Sequence, residues 1–526
     1  MNTHDEIDPI ELEIFKSIFI SIAEEMGVAL CRASFSPNIK ERKDYSCGIF
    51  DHKGDTVAMG DHLPVHLGAM PLSVRSAIEN VDLHPGDTVM MNDPYRGGTH
   101  LPDITSVSPV YVPGIDQPAY YVCNRAHHSD VGGISPGSMP LATELFQEGV
   151  IIPPVKLVRG GEIDRDILSF ILANVRTPEE REGDLTAQLA ANRIGHKRLL
   201  EITEKYGHQK INTYMSHLQD YSEKIMRNTL KEIPDGVYTF SDYMDDDGIS
   251  QQPIKVQVAV RIKGDSAEVD FSGTDPQTEG SINANYAITL SATMYVFRCI
   301  IKEDVPYNSG LIRPIRVIAP LGSLVNARKP AAVAGGNVET SQRITDVVLG
   351  ALSKAIPERV PAASSGTMNN VTFGGRDPRT GKSFAYYETI GGGMGASPTS
   401  RGISGVHTHM TNTRNTPIEA LEHYLPIKVR RYCLRKFSGG KGRHSGGDGI
   451  IREYEFMSSA DMNILSERRR FPPYGLRGGK PGKPGKNTLI TGGENRRLGS
   501  KVSLRLKQGD VIVVETPGGG GYGEAE

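Results

Sequence analysis

Histidine and aspartate residues cluster at two points between positions 92 and 133. His100 and Asp103 have the spacing H-x-x-D in the first segment, and His127, His128 and Asp130 follow in the second. Imidazole nitrogens and carboxylate oxygens are ligands that divalent transition metals take in proteins. The two groups could therefore form one metal site, provided that the fold brings them together.

The chain between these groups has the pattern of a β-hairpin. Val110–Val112 and Tyr120–Val122 are β-branched and aromatic runs, and a Pro-Gly turn lies between them. A hairpin returns the chain on itself, which would place the His100 loop beside the His127 loop. The pattern alone leaves two interpretations open: a metal site, or a turn aspartate at position 103 together with a core histidine at position 127.

Further candidate residues precede this stretch. Asp44 stands at the start of a predicted strand, after the charged run Lys40–Lys43. It is either a fourth ligand or a solvated turn residue. His62 and His66 have an i, i+4 spacing, and they either line the same cleft or cap a helix that begins near Leu67.

Three motifs of known enzyme and ion-binding classes are incomplete. Gly133–Gly137 fits G-x-S-x-G, yet Ser135 is followed by Pro136, which has no N–H to donate to an oxyanion. Gly375–Ser383 has one residue too many for a phosphate loop, and strands are predicted on both sides of it. Asp245–Gly248 lacks the spacing of a calcium loop. We predict a turn, a hairpin and a hairpin turn respectively, and we find no nucleotide fingerprint in the chain.

Other polar segments leave alternatives open. His407 and His409 have an H-x-H spacing that would put both rings on one face of a strand, for metal ligation or for hydrogen bonding. Gly335 and Gly336 precede a predicted helix and could cradle an anion or only permit tight packing. The basic segment Arg468–Lys486 could meet an anionic partner or intermediate, or form a solvated loop.

Composition and charge narrow the class of protein. Of 526 residues, 23% are charged and 38% hydrophobic, and 59 Lys+Arg against 62 Asp+Glu give a net charge of -3. This balance gives no electrostatic case for binding nucleic acid or a membrane surface. Five scattered cysteines, an acidic N-terminus and the lack of an apolar run of about 18 residues predict a cytoplasmic protein with reduced thiols and no membrane span.

The predicted fold class is α+β, multi-lobed, with mixed and antiparallel sheets packed with helices. We predict a metal-binding α+β domain over residues 1–235, a β-rich middle domain over 236–325 and a Gly-rich α+β domain over 326–526. Asp8 as N-cap and Pro9 predict the start of an amphipathic helix. Polar residues from Arg181 to His196 at helical spacing form a solvated face or line a polar cleft. The 58 glycines indicate tight loops in which backbone approaches ligands or other chain segments.

Several segments together resemble the hydantoinase B/oxoprolinase family, over nearly the whole chain. They are NDPYRGGTHLPDIT, NRAHHSDVGG, DFSGT, GGNVETSQR, GGGMGAS, TPIEALE and the Gly-rich tail. The family includes the B-type component of N-methylhydantoinases, the C-terminal half of 5-oxoprolinases, the metal subunit of lactamases such as caprolactamase, and acetone carboxylase alpha subunits. The resemblance implies an ATP-dependent hydrolase that opens a hydantoin, oxoproline or lactam ring.

The resemblance also implies the parts of the site. A hydantoinase A-type partner would bind ATP and phosphorylate the small cyclic amide, so a hetero-oligomer is expected. The positions that match the family's divalent-metal ligands are Asp44, His100, Asp103 and His127. His128, adjacent to the last of these, leaves that assignment ambiguous, and His128 or Asp130 would move protons. Zinc is the expected metal for mixed nitrogen and oxygen ligands, with manganese or iron as alternatives.

Two other functions remain open from the sequence. The same scaffold in acetone carboxylases carboxylates a ketone at the expense of ATP, although those chains tend to be longer. The second is a non-catalytic scaffold for the partner, and a lack of bound metal on elemental analysis would favour it.

Overall fold

The computed structural model describes residues 7–60 and 63–525, and the first lobe is built on one antiparallel sheet. Its helices and strands are α1 (Pro9–Ala33), α2 (Pro37–Lys40), β1 (Tyr45–Asp51), β2 (Thr56–Met59), α3 (Met70–Asn80), β3 (Thr88–Met91), β4 (Asp103–Val110), β5 (Tyr120–His127), β6 (Val155–Arg159), β7 (Glu162–Ile163), α4 (Arg165–Ala173), α5 (Pro178–Tyr206) and α6 (His208–Lys231). The strand order is β2-β1-β5-β4-β3-β6-β7. His62, which the sequence pairs with His66, lies outside the described residues.

The start of α1 agrees with the sequence. The Asp8 side chain accepts a hydrogen bond from the backbone N–H of Ile10 at 2.9 Å, and Pro9 occupies the first turn. α1 packs against α5, and both helices cover the face of the sheet formed by β1, β4 and β5. Apolar residues of α1, including Phe15 and Phe19, fill the core between them.

The polar residues of α5 face the sheet, which decides between the two predicted environments. Gln188 and Asn192 are buried, and each hydrogen bonds to Asn124 on β5. Asn192 also donates to the hydroxyls of Ser106 and Ser108 on β4, at 3.2 and 3.0 Å. These side chains form a buried polar layer that fixes α5 against the β4–β5 hairpin, since buried amides require partners.

A second sheet forms the middle of the molecule. Its elements are β8 (Gly236–Met244), β9 (Ile254–Lys263), β10 (Ser266–Asp270), α7 (Tyr286–Cys299), β11 (Ile315–Ile318) and α8 (Ser341–Leu352). The order is β11-β10-β9-β8, with only the β10–β11 pair parallel. β8 and β9 form the hairpin predicted around Asp245–Gly248. The predicted domain boundaries stay predictions, and α8, assigned to the third domain, packs on β8 and β9.

The C-terminal part contains two more sheets. Its elements are β12 (Asn370–Arg376), β13 (Ser383–Glu388), α9 (Ile418–Tyr424), β14 (Ile427–Arg435), β15 (Gly449–Phe456), β16 (Ala460–Leu465), β17 (Lys486–Thr491), β18 (Glu494–Leu498), β19 (Lys501–Leu506) and β20 (Val511–Glu515). The orders are β13-β12-β16-β19 and β14-β15-β20-β17-β18. β12 and β13 pair directly, so the near-phosphate loop is the turn of a hairpin, as predicted. Helices and mixed or antiparallel sheets together confirm the α+β class.

Glycine-rich segments near the C-terminus pack backbone against backbone. A Cβ atom on Gly519 would lie 2.1 Å from the Met394 carbonyl oxygen, and one on Gly520 would lie 2.0 Å from that of Tyr474. The Gly519 N–H donates to Gly447 O at 2.9 Å, and the Gly440 N–H donates to Gly519 O at 2.8 Å. No side chain fits between segments at this separation, so only glycine is compatible with it. The close approach of backbone to backbone agrees with the prediction from the glycine content.

Two general expectations can be compared with the coordinates. Of the helices in residues 7–60 and 63–525, none combines the length and apolarity needed to cross a bilayer. The five cysteines all lie in the described part of the chain, and none of them is in a disulfide.

Candidate metal centre

The candidate centre lies where β4 begins and β5 ends. Asp103 is the first residue of β4 and His127 is the last residue of β5, and the two are direct partners in the antiparallel ladder. Opposed residues have Cβ atoms about 4.5–5.5 Å apart, so their side chains meet on one face. The predicted hairpin is confirmed, and it brings the His100 segment to the His127 segment.

His100, Asp103 and His127 form a compact buried group. One ligand atom of each lies within 4.8 Å of the others, and their exposed fractions are 0%, 1% and 2%. Within the part of the chain that the structure describes, Asp103 Oδ1 and His127 Nε2 have no hydrogen-bond partner. Buried polar atoms are almost always paired, and a divalent ion would satisfy both, so the residues fit a metal.

The second carboxylate oxygen of Asp103 is held by its neighbours. Thr99 Oγ1 donates to Oδ2 at 2.6 Å, His100 Nδ1 lies 3.0 Å from it, and His66 Nε2 lies 3.4 Å from it. Burial alone would raise the pKa of Asp103, but His100 and His66 outweigh burial and hold the pKa well below its usual value. The carboxylate is therefore ionised at neutral pH. The sequence left two roles open for His66, and in the structure its ring lies beside the centre.

His127 is held as a neutral ring. Burial lowers its pKa well below the usual value, so the ring is neutral and has a lone pair on one of its two nitrogens. Asn38 Nδ2 lies 3.2 Å from Nδ1, and the Tyr387 ring stacks on the imidazole with a centroid distance of 4.5 Å. At the other histidine, Asn337 Nδ2 lies 3.5 Å from His100 Nε2. Asn337 belongs to a π-turn, Gly336–Thr340, a conformation frequent at functional sites.

Arg42 connects the centre to the C-terminal part of the chain. Its fully buried guanidinium donates to Asn38 Oδ1 at 3.0 Å, and Asn38 in turn contacts His127. The same guanidinium donates to Tyr387 O at 2.7 Å, Thr389 Oγ1 at 3.1 Å and Arg414 O at 3.3 Å. The layer of side chains around the ligands is thus built from segments more than 300 positions apart.

Asp44 lies beside the compact group. Its backbone carbonyl accepts from the His127 N–H at 3.0 Å, and one carboxylate oxygen lies 4.0 Å from Arg42 Nη2. Burial raises the pKa of Asp44 to about 7; Arg42 opposes the rise and the charge of Asp103 adds to it. Among the residues described, the group that meets the 4.8 Å limit does not include Asp44. Its role as a fourth ligand therefore stays a prediction.

His128 points away from the compact group. Successive residues of a strand face opposite sides, and His128 Nε2 lies 3.0 Å from Gln188 Oε1 on α5. Burial, followed by the positive charge of Arg181, lowers the pKa of His128 to about 4. The geometry therefore favours His127 over His128 as the ligand. A proton-transfer role of His128 stays a prediction.

Asp130 is a loop anchor in this geometry. Its carboxylate is fully buried; Oδ1 accepts from the N–H groups of Gly132 and Arg176, and Oδ2 accepts from Gly137 N and Arg176 Nη1. Four donors fill the acceptor capacity of a carboxylate. The contacts give Asp130 a structural role, and its predicted role in proton transfer stays a prediction.

Packing also decides between the alternatives that the sequence left open for the remaining polar segments. His407 and His409 lie in irregular chain, where Val406 forms only an isolated bridge, so the predicted strand is wrong. A Cβ on Gly336 would lie 1.8 Å from the Asn283 carbonyl oxygen, which favours tight packing over an anion cradle. Arg468 is buried and pairs with Asp242 at 2.8 Å. The start of the basic segment is therefore neither solvated nor available to an anionic partner.

Asn38, Asn337 and Tyr387 were not predicted from the sequence as parts of the site. Each is far along the chain from His100, Asp103 and His127 and lies in no metal-binding motif. Asn337 alone carried a signal, because it lies in the GGNVETSQR segment and directly after two glycines.

Comparison with known proteins agrees with this fold and identifies the family. The family model described as hydantoinase B/oxoprolinase matches residues 8–525. The chain is 41% identical to 5-oxoprolinase 1 of Arabidopsis thaliana over 98% of its own length and 42% of that protein. It is 33% identical to a putative D-/L-hydantoinase B-type component of a Pseudomonas species, over 98% of this chain and 90% of the relative. The chain thus spans less than half the length of the 5-oxoprolinase.

Two solved structures have the same fold. The ATP-dependent caprolactamase from Pseudomonas jessenii superposes with a TM-score of 0.92 and 29% identity, over 99% of this chain and 92% of that one. A nucleotide-free acetone carboxylase superposes with a TM-score of 0.91 over 99% of this chain and 76% of that one, but at 18% identity it supports the fold alone. Because the family model matches nearly the whole length of the chain, the chain belongs to the hydantoinase B/oxoprolinase family.

Proposed function

We propose that this chain is the metal-dependent subunit of an ATP-dependent cyclic-amide hydrolase that opens a hydantoin, oxoproline or lactam ring. The observation that carries the proposal is the buried group of His100, Asp103 and His127, with unpartnered ligand atoms inside the described residues. The names of the hydantoinase and 5-oxoprolinase relatives and of the caprolactamase support the choice of reaction.

His100, Asp103 and His127 would hold the ion, and Asp44 is the candidate for a fourth ligand. Mixed nitrogen and oxygen donors suit zinc first, then manganese or iron. When bound, such an ion supplies Lewis acidity and activates a water molecule for attack near neutral pH. The chain contributes one ionised carboxylate, two imidazoles and a site closed to bulk solvent, where charges interact more strongly than in water.

Polar contacts behind the ligands fix their orientation. The hydrogen bond from Thr99 and the nearby ring of His66 hold one oxygen of Asp103, which leaves the other oxygen available to the ion. Asn38 and the stacked ring of Tyr387 hold the imidazole plane of His127. Such outer contacts position metal ligands and tune their basicity.

ATP enters the reaction through a partner in this proposal. A hydantoinase A-type protein would bind ATP and transfer its γ-phosphoryl group to the amide oxygen, releasing ADP and leaving a more electrophilic ring carbon. Water then adds to that carbon, the C–N bond breaks with a proton passing to nitrogen, and a second water releases phosphate. Each ring opened consumes one ATP and two water molecules. The Pseudomonas relative is named as one component of a hydantoinase and the 5-oxoprolinase is much longer than this chain, which supports a partner or a fused second half.

The test is reconstitution of the chain with an A-type partner and measurement of ATP-dependent ring opening of hydantoin, 5-oxoproline and caprolactam. His100→Ala is expected to lose both bound metal and turnover, because it removes a ligand from the compact group. His423→Ala is the matched control, because His423 is exposed and remote in sequence from the ligands. Full activity of a metal-free His100→Ala protein would refute the proposal. Turnover that depends on bicarbonate and a ketone would support the carboxylase alternative instead.

A further inference from the structure

Two histidines outside the metal group have buried ring nitrogens without partners. Within the described residues, neither His407 Nδ1 nor His409 Nε2 has a hydrogen-bond partner, and both rings are half-buried. His409 also has a left-handed backbone, with φ at 60°. Strained backbone clusters at active sites and ligand clamps, and an unpaired buried polar atom calls for a water, an ion or a ligand as its partner.

The protonation of His407 follows from its neighbour. Asn415 donates through Nδ2 to Thr389 O at 2.7 Å and to Glu388 Oε2 at 2.9 Å, so its Oδ1 faces His407 Nε2, which is 3.4 Å away. His407 Nε2 therefore carries the proton, and Nδ1 is a bare acceptor. Burial lowers the pKa of His407 to about 4, so the ring keeps this neutral form at neutral pH.

Two amide oxygens add to this acceptor. Gln342 donates through Nε2 to Thr408 O at 3.0 Å, and its Oε1 has no partner in the described chain. Asn337 directs Nδ2 towards His100, and its Oδ1 is likewise without a partner among these residues. Gln342 and Asn337 are 1% and 3% exposed. These three unpaired acceptors lie on neighbouring segments, and a ligand that brings hydrogen-bond donors would satisfy them.

These acceptors are tied to the metal centre from two directions. Asn337 contacts His100, and the chain runs from Asn337 through the start of α8 to Gln342, which binds the Thr408 carbonyl. At the other end of the loop, Thr413 Oγ1 lies 2.8 Å from Thr389 Oγ1, which accepts from Arg42. We define residues 406–415 as the acceptor loop. It is anchored on both the His100 side and the His127 side of the centre.

We propose that Asn337, Gln342 and His407 accept hydrogen bonds from N–H groups of a small cyclic amide and so hold its ring beside the metal centre; in a hydantoin, one N–H remains after the amide oxygen is phosphorylated. This inference rests on the proposed function and adds a selectivity to it: a ring with N–H donors should be preferred to the same ring with its nitrogens methylated. Buried acceptors left unpaired by an N-methyl group account for the preference, because a site built for a hydrogen bond rejects an analogue that lacks it.

The experiment compares binding of 2-pyrrolidinone and N-methyl-2-pyrrolidinone to the zinc-loaded full-length chain, by calorimetry or ligand-observed NMR. The wild type is expected to bind the N–H ring about tenfold more tightly, which is the effect of one buried hydrogen bond. His407→Leu, which has no acceptor, is expected to reduce this ratio towards one. His407→Asn places an amide oxygen near the position of Nδ1 and is expected to retain most of the ratio. His423→Leu is the exposed-site control and should match the wild type.

Equal binding of the two rings by the wild type would overturn the inference, as would an unchanged ratio in His407→Leu. Zinc content, measured on the same samples, should stay at the wild-type level in both His407 variants, because His407 is not in the compact group. The proposed function has a separate readout. If the reconstituted complex opens no ring while the N–H preference and its loss in His407→Leu are observed, the binding inference stands and the hydrolase proposal fails.

Discussion

Gly519→Ala tests whether the glycine-rich C-terminal segments are held by direct backbone packing. The structure places a Cβ at this position 2.1 Å from Met394 O and 2.3 Å from the Met394 carbonyl carbon. No side-chain movement relieves such contacts, since both atoms belong to the backbone. Gly519 has no left-handed φ in the structure, so alanine would not be forced into a left-handed conformation there. The destabilisation therefore measures packing rather than backbone strain.

The magnitude follows from what has to move. Overpacking of a filled interior costs about 1–3 kcal/mol. Separation of the segments would also break the bonds Gly519 N–Gly447 O and Gly440 N–Gly519 O, each worth about 0.5–1.5 kcal/mol. We expect Gly519→Ala to lower the free energy of unfolding by about 2–6 kcal/mol. Gly499→Ala is the matched control, because its Cβ would meet nothing closer than 3.6 Å, and we expect an effect within about 0.5 kcal/mol.

The assay is thermal and urea unfolding of the two variants beside the wild type. The chain has no tryptophan and 20 tyrosines, so far-ultraviolet circular dichroism and tyrosine fluorescence are the suitable signals. Unfolding midpoints of the Gly519 and Gly499 variants that coincide would refute the packing argument. A Gly519 variant that fails to fold while Gly499→Ala folds normally would agree with it.

Three other changes test parts of the site and its surroundings. Thr99→Val removes the 2.6 Å donor to Asp103, so zinc affinity in a chelator competition should fall about 10–100-fold; an unchanged affinity would contradict that role. Asp130→Asn should lower the unfolding midpoint and leave zinc affinity intact, because Asp130 anchors a loop; loss of ring opening at unchanged stability would instead support proton transfer. Burial raises the pKa of Glu148 to about 8 from 4.5. Between these pH values the folded protein retains a proton that the unfolded chain releases. The free energy of unfolding therefore falls as pH rises, by up to about 1.4 kcal/mol per pH unit. Glu148→Gln should remove that loss, and its stability relative to wild type should rise from about pH 5 to about pH 8 in urea titrations; an equal difference at both pH values would refute the assignment.

Local patterns predicted the core of the candidate site. The alternation of β-branched and aromatic residues around a turn predicted the β4–β5 hairpin, and the hairpin alone brings Asp103 opposite His127. The choice between His127 and His128 could not be made from the sequence, because strand periodicity gives opposite faces without stating which one is covered by α5. The contact of His128 with Gln188 on α5, which lies 60 positions further along the chain, decides which of the two histidines faces the centre.

Long-range packing limited the rest of the prediction. Asp130 resembles a catalytic acid because it follows two histidines, but its partner Arg176 is 46 positions away and gives no local signal. His407 and His409 have the spacing of a strand, yet the Gly/Thr-rich chain around them forms a loop held by tertiary hydrogen bonds. Glycine abundance predicted close approach of backbone segments, but not which segments approach.

The guanidinium of Arg42 makes the centre a property of the whole polypeptide. One hydrogen bond reaches Asn38 beside His127, while others end on Tyr387, Thr389 and Arg414, more than 340 positions further along the chain. A recombinant fragment that stopped at residue 235 would retain every candidate ligand but lose the stacked ring of Tyr387 and three acceptors of Arg42. Dissection into minimal pieces is therefore unsuited to this protein, and biophysical work on the centre requires the uninterrupted polypeptide.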